Sequence, residues 1–414
     1  MVASSRHLKR LMMYVCGDSG PFDEFNPSFV ARQKLGLELL YVLNKHPMNM
    51  NKVCSTLKIS RKQAMKLLNS WARINAIREE SSDVYRVNFA IFTKEDLMIL
   101  ARVSEPIARE LAGRIGNHAK RITSLAKDFS AAKQVQIEKL LFAALGCFIL
   151  DWLGLKTLEG EKLLVRNKPQ PGNRNYLLFA REEVNRKTAL RLYDKMYWGS
   201  HSDTSDAYTF TSFGDHHGMR YAFPDVLWTL QASPKAVQTF FKSPSWMTEK
   251  LSTITQLCSK KMLRDTAFLL FRLNAEGTIS AKELTKNNVE IWVRNLVHLL
   301  EDMNYIFREK GRLKLNYPIF ADDDKKIVEQ IADIILPLVT QTIRQNYSIL
   351  KRALSNTTPV RNKVALNEVL NEAWHWIFAQ TNKILAEKGF LYDPPKKRAE
   401  EARYIAWVAK FSFP

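Results

Sequence analysis

The sequence predicts a mainly α-helical chain with small β wings, and three observations predict it. Apolar residues recur at three- and four-residue spacing through most long segments, most regularly between Leu39 and Ile74. Two helical clusters each end in a short run rich in β-branched and aromatic residues, YRVNFAIF closing at Phe92 and LKLNYPIF closing at Phe320. The same hydrophobic order then returns 228 residues further along, as the spacing of those two phenylalanines shows.

The best-defined stretch is residues 39–92. LLYVLNKHPMNMNKVCSTLKISRKQAMKLLNSWARI reads as helix, helix, turn and helix, and VYRVNFAIF supplies two short strands. Lys58-Ile59-Ser60 forms the turn. Ser60 with Gln63 makes a capping box that opens the third helix. On that helix Ala64, Leu67, Leu68, Trp71 and Ile74 share one side and must face a core. The opposite side carries Lys62, Lys66, Asn69 and Arg73. From Leu39 to Arg78 there are eight Lys or Arg and no Asp or Glu. This element order is that of a winged helix-turn-helix, and a cationic face on its third helix suits a DNA major groove. The competing expectation is a three-helix packing or protein-binding module. The hairpin tip, Glu79-Glu80-Ser81-Ser82-Asp83, is acidic and repels phosphate, although Arg78 and Arg86 flank it.

Composition narrows the class of partner. A net charge of +20 in 414 residues favours a polyanion, most simply nucleic acid, over an anionic membrane, because no basic amphipathic anchor or lipidation motif is present. Cys16, Cys54, Cys147 and Cys258 show no C-x-x-C spacing, which argues against a disulfide framework and for a reducing cytoplasm. No secretory signal is evident, and the apolar run Leu140–Leu150 is too short to span a bilayer.

In chain order, residues 1–32 read as a lead-in in which Asn26-Pro27-Ser28 starts a short helix. Winged helix 1 occupies 33–92 and helical region 1 occupies 93–183, with a basic helix from Thr93 to Ala132 broken near Gly113 and Gly116. Residues 184–261 form a spacer with an aromatic and histidine-rich loop, a candidate docking or effector-sensing segment around 197–223. Winged helix 2 is placed at 262–320 and helical region 2 at 321–414. The two winged-helix repeats are therefore each followed by a helical region. In the second, Ser280 and Glu283 again form a capping box, but the outward face of its third helix is Glu290, Ile291, Arg294, His298 and Glu301. That face suits phosphate poorly.

Catalytic signatures are missing: there is no G-x-S-x-G, H-E-x-x-H, phosphate-binding loop or G-x-G-x-x-G. His201, Asp203, Asp215, His216 and His217 match no metal-ligand spacing, so neither metal nor cofactor is expected. Asp322-Asp323-Asp324 reads as a helix cap, and Lys396-Lys397-Arg398 as a solvated loop.

The segment SRKQAMKLLNSWARI, with the helix before it and the strand pair after it, resembles winged-helix transcriptional regulators of the ArsR and MarR kind. The resemblance implies base-edge contacts from Lys62, Gln63 and Lys66, phosphate contact near Arg61, and groove or backbone contact from Asn69 and Arg73; Ser60 at the helix start, with Arg78 and Arg86 as backbone contacts beside the hairpin tip, completes the candidate DNA-binding set. It also implies dimerisation through flanking helices, met either by a homodimer or by an intrachain pseudo-dimer through Gln136–Gly154 and Val364–Leu385. The expected function is a non-enzymatic, cytoplasmic DNA-binding regulator of double-stranded DNA, with a small-molecule effector as a further expected partner. A plasmid-type replication initiator and a protein-interaction scaffold are the alternatives.

Overall fold

The computed structural model describes residues 10–205, 207–215, 218–232, 260–280, 283, 291–396 and 401–412. The first half runs β1 (Leu11–Asp18), α1 (Pro27–Ala31), α2 (Gly36–Lys45), β2 (Met48–Asn49), α3 (Met50–Leu57), α4 (Arg61–Arg73), β3 (Ile77–Ser81), β4 (Val84–Val87) and β5 (Ala90–Phe92). It continues with α5 (Lys94–Gly116), α6 (Ala119–Ala126), α7 (Ile137–Leu141), a π-helical stretch (Phe142–Leu153), α8 (Gly154–Gly160), β6 (Pro169–Gln170), β7 (Arg174–Glu182) and α9 (Arg186–Tyr193). The second half holds β8 (Gly199–Ser205), β9 (Tyr208–Gly214), α10 (Phe223–Ala232), α11 (Lys260–Glu276), β10 (Ile279–Ser280), α12 (Ile291–Asp302), β11 (Ile306–Glu309) and β12 (Arg312–Leu315). Then follow β13 (Ile319–Phe320), α13 (Asp324–Leu354), α14 (Thr358–Arg361), α15 (Leu366–Glu387) and β14 (Tyr404–Ala409).

Among the described residues, with 53% helix and 19% strand in four sheets, the fold is mixed α/β. This corrects the expected mainly α chain of two winged-helix repeats with small wings. The strands that change the class are β1, β8, β9 and β14, together with β7, which lengthens the short strand expected at Tyr176–Ala180. β1 lies within the supposed lead-in, and β8 and β9 form a hairpin where a loop was expected. The two larger sheets are joined by partners distant in sequence, β1 and β5 with β7 and β9 and β13 with β14, which local periodicity does not report.

The chain forms two compact units, each drawing on both halves of the sequence. Unit 1 comprises Met1–Ile107, Leu155–Leu192 and Ile343–Ile377. Its larger sheet has the order β1-β7-β5, with β1 antiparallel and β5 parallel to β7, and β6 paired to β7. α2, α3 and α4 pack one apolar core against Leu11, Met13 and Val15 of β1 and Tyr176, Leu178 and Ala180 of β7. On α15, fully buried Glu372 pairs with Arg181 of β7 and accepts hydrogen bonds from the Tyr14 hydroxyl and, at 2.7 Å, the Trp376 indole N–H.

Unit 2 comprises Ala108–Gly154, Tyr193–Thr342 and Phe378–Pro414. Its larger sheet has the order β13-β14-β9-β8 and its smaller sheet β10-β12-β11. The smaller sheet of unit 1 has the matching order β2-β4-β3.

The correspondence between the units extends to register and hydrogen bonds. Ile91↔Ala180 and Phe92↔Arg181 in unit 1 become Ile319↔Val408 and Phe320↔Ala409 in unit 2, an offset of 228 throughout. In unit 1 the Thr358 N–H donates to Asp96 Oδ1 at 2.9 Å, and in unit 2 the Ser130 N–H donates to Asp324 Oδ1 at 2.8 Å. Likewise Asn362 Nδ2 donates to the Asn44 carbonyl at 2.8 Å, and Gln134 Nε2 donates to the Asn274 carbonyl at 2.7 Å. In both units the donor comes from the other half of the sequence. The duplicated halves have exchanged helical segments.

The continuous helix Ile137–Gly160, 24 residues with an apolar window of mean hydropathy 1.6, is long and apolar enough to cross a membrane, which the run Leu140–Leu150 alone had not suggested. It is 78% buried over its apolar window, the mark of a core helix.

Candidate nucleic-acid interface

In unit 1, α3 is capped by Asn49, whose side chain accepts the Lys52 N–H at 2.9 Å, and it ends at Lys58 with φ of 55°. That left-handed residue turns the chain sharply, so that α4 starts three residues later. Ser60 caps α4: its Oγ accepts the Gln63 N–H at 3.3 Å, and Gln63 Oε1 accepts the Ser60 N–H at 3.0 Å. Ala64, Leu67, Leu68, Trp71 and Ile74 are all buried, Trp71 completely. One side of α4 is thus held in the core and the other cannot turn inward.

The structure sorts the nine sequence-derived site residues into three groups. Lys62, Lys66 and Asn69 are exposed on the outer side of α4. Ser60 and Gln63 are engaged in the capping box, and Arg61 donates to Asn51 Oδ1 of α3 at 3.3 Å. Arg73 pairs with Glu24, and Arg78 donates to Asn88 Oδ1 at 2.9 Å. Arg86 donates to Glu80 Oε2 at 2.9 Å and to Asn362 Oδ1 at 3.1 Å, and its side chain is only 13% exposed. Gln63, implied by resemblance as a base reader, spends its side-chain oxygen on the cap. Arg78 and Arg86 brace the hairpin.

The acidic hairpin tip is also engaged. Glu79 Oε1 accepts the Asp83 N–H at 2.7 Å, and Glu80 accepts from Arg86 and, at 2.5 Å, from Lys363 Nζ. These two bonds, that from Lys363 first, hold the Glu80 carboxyl below its ordinary range. No family matches this chain, and no curated protein or solved structure matches it.

Sequence reasoning passed over three neighbours of this face. Met65 on α4 is 38% exposed, an apolar group of the kind that meets a thymine methyl. Lys52 of α3 and Lys58 of the turn are also exposed, and the basic run itself was the signal for them. In unit 2 the corresponding helix is α12, fixed by the pair of bonds Ala76 N–H to Trp71 O and Tyr305 N–H to Leu300 O. That correspondence replaces Lys62 by Ile291, Lys66 by Asn295, Asn69 by His298 and Arg73 by Asp302. His298 sits 3.6 Å from Glu301.

The histidine-rich segment does not form a metal centre among the described residues, where no three ligating side chains converge. His201 Nδ1 lies 2.5 Å from Asp225 Oδ1, and Asp215 Oδ1 accepts the Arg403 N–H at 3.2 Å. His216 and His217, like Lys397 and Arg398, lie outside the described residues.

Proposed function

We propose that this protein is a cytoplasmic DNA-binding transcriptional regulator that presents α4 of unit 1 to the major groove of duplex DNA. The observation that carries the reading is the exposed set Lys62, Lys66 and Asn69 on a helix whose far side is locked into a core. Two ammonium groups and an amide one turn apart match phosphate and base-edge acceptors along a groove. Charge is distributed in the same sense. The segments of unit 1 contain 30 Lys and Arg against 16 Asp and Glu, net +14, and those of unit 2 contain 32 against 26, net +6. Each chain then offers one reading face, and the role assigned to it is recognition, with no catalytic step.

The test is selection of genomic fragments by the wild type and by Lys62→Ala/Lys66→Ala. Enrichment of a defined sequence, lost in the double variant, is expected. Sequence-blind binding that the substitutions leave unchanged overturns the assignment of α4. Enrichment of iterated direct repeats points instead to a replication initiator.

A further inference from the structure

We propose that Met65 is a base-reading residue of α4, which packs against the C5-methyl group of a thymine in the major groove. The inference rests on the reading of α4 given above and adds the kind of base that this helix selects. Met65 is 38% exposed, and among the described residues it is the large apolar side chain that α4 leaves in water. Single exposed apolar residues are ordinary on a protein surface, so exposure alone assigns it no role. Its place on the helix does.

At about 100° per residue, Lys62, Asn69 and Arg73 fall within about 20° of one line along the middle of the outer side of α4. Lys66 stands about 40° to one side of that line and Met65 about 60° to the other. All five are exposed, while Ala64, Leu67, Leu68 and Trp71 hold the far side of the helix in the core. A helix seated in a groove about 12 Å wide then turns Lys66 and Met65 toward opposite walls. Arg61, one turn before Met65 on the same flank, donates to Asn51 Oδ1 of α3 at 3.3 Å and is drawn toward that helix. Met65 is the large side chain that remains on the flank.

The chemistry of the groove decides what it meets. An ammonium group takes phosphate and guanine acceptors alike, so Lys62 and Lys66 supply affinity with little choice of base. Gln63 Oε1 is held by the cap and Arg73 by Glu24. Discrimination falls to Asn69, whose amide donates and accepts as the adenine edge requires, and to Met65. The thymine methyl is the one apolar group among the base edges of the major groove, and an unbranched thioether adapts its rotamer to reach it. Met65 and Asn69 lie about 6 Å apart along the helix, close to the rise of two base pairs. The duplicated helix agrees: in α12, where the cationic set is lost, the position of Met65 holds Arg294.

The experiment measures binding of the full chain, at one salt concentration, to the duplex it selects and to duplexes in which each thymine in turn is replaced by deoxyuridine. That replacement removes only the C5-methyl group. At one position it should weaken the wild type about three- to fivefold, the effect of one methyl group kept from water. The penalty should vanish in Met65→Ala and persist in Met65→Leu, which keeps a large apolar side chain. A selected site without thymine, a wild type indifferent to every replacement, or a penalty of equal size in Met65→Ala overturns the proposal. A wild type that selects no sequence defeats the function proposed above, and this inference with it. Selection that Lys62→Ala/Lys66→Ala abolishes, joined to indifference to the methyl group, defeats this inference alone.

Discussion

Residue type alone did not decide which cations of the basic run are available. Arg73, Arg78 and Arg86 are bound to Glu24, Asn88 and Glu80 with Asn362, whereas Lys62 and Lys66 stand exposed. The inward set on α4 was readable from helical spacing; these partners were not, because Glu24 and Asn362 lie 49 and 276 residues away from the arginines they meet. Unit 2 offers a second lesson at this scale. Asp151, buried in the π-helical stretch, accepts a hydrogen bond from Ser200 Oγ at 3.0 Å, and burial pushes its carboxyl up to about 7. The folded chain therefore holds a proton there that the unfolded chain releases near 3.8. Stability from this group is fully present below that lower value and is lost as pH rises through about 7. Asp151→Asn should remove this dependence. In chemical denaturation the variant should lose about 1–3 kcal/mol less than the wild type between mildly acidic and mildly alkaline solution. Equal losses in the two proteins would show that Asp151 is ionised when folded.

Among the elements, legibility followed how local the cause was. The start of α4 was visible because Ser60 and Gln63 cap it within three residues, and the break after α5 follows Gly116 as the glycines suggested. Asp324, read from sequence as a cap, accepts the Ala321 N–H at 2.7 Å and opens α13. β1 and the β8–β9 hairpin were not visible as sheet strands. The sequence around Gly17 carries no signal for partners at Arg174–Glu182, and β9 carries none for partners at Tyr404–Ala409. The hairpin of unit 1 shows how function follows from such long-range ties. With Glu80 held by Arg86 and Lys363, the hairpin is a brace, and the cationic surface rests on α4 with Lys52 and Lys58.

Across the whole molecule, the repeat at 228 residues was legible, but the reciprocal exchange of segments was not. Asp96 receives Thr358, Asp324 receives Ser130, and the buried Arg181–Glu372 pair in unit 1 is made by residues from opposite halves. Splitting that pair would leave a charge buried without compensation, a loss of roughly 3–5 kcal/mol. Residues 1–192 and 193–414 should therefore fail to fold when produced separately and form a soluble complex when produced together. Solubility and circular dichroism of each half check this; two independently folded halves would contradict the exchange.

The central claim is that one face, on α4, meets DNA. It is tested most directly by the salt dependence of duplex binding for the wild type, Lys62→Ala/Lys66→Ala and the unit 2 control Lys325→Ala/Lys326→Ala. Each phosphate contact contributes about 0.9 to the slope of log affinity against log salt. The first variant should bind more weakly with a slope shallower by about 2, and the control should match the wild type. Equal slopes for all three proteins, or a loss confined to the control, would contradict the assignment of α4 as the DNA-binding face.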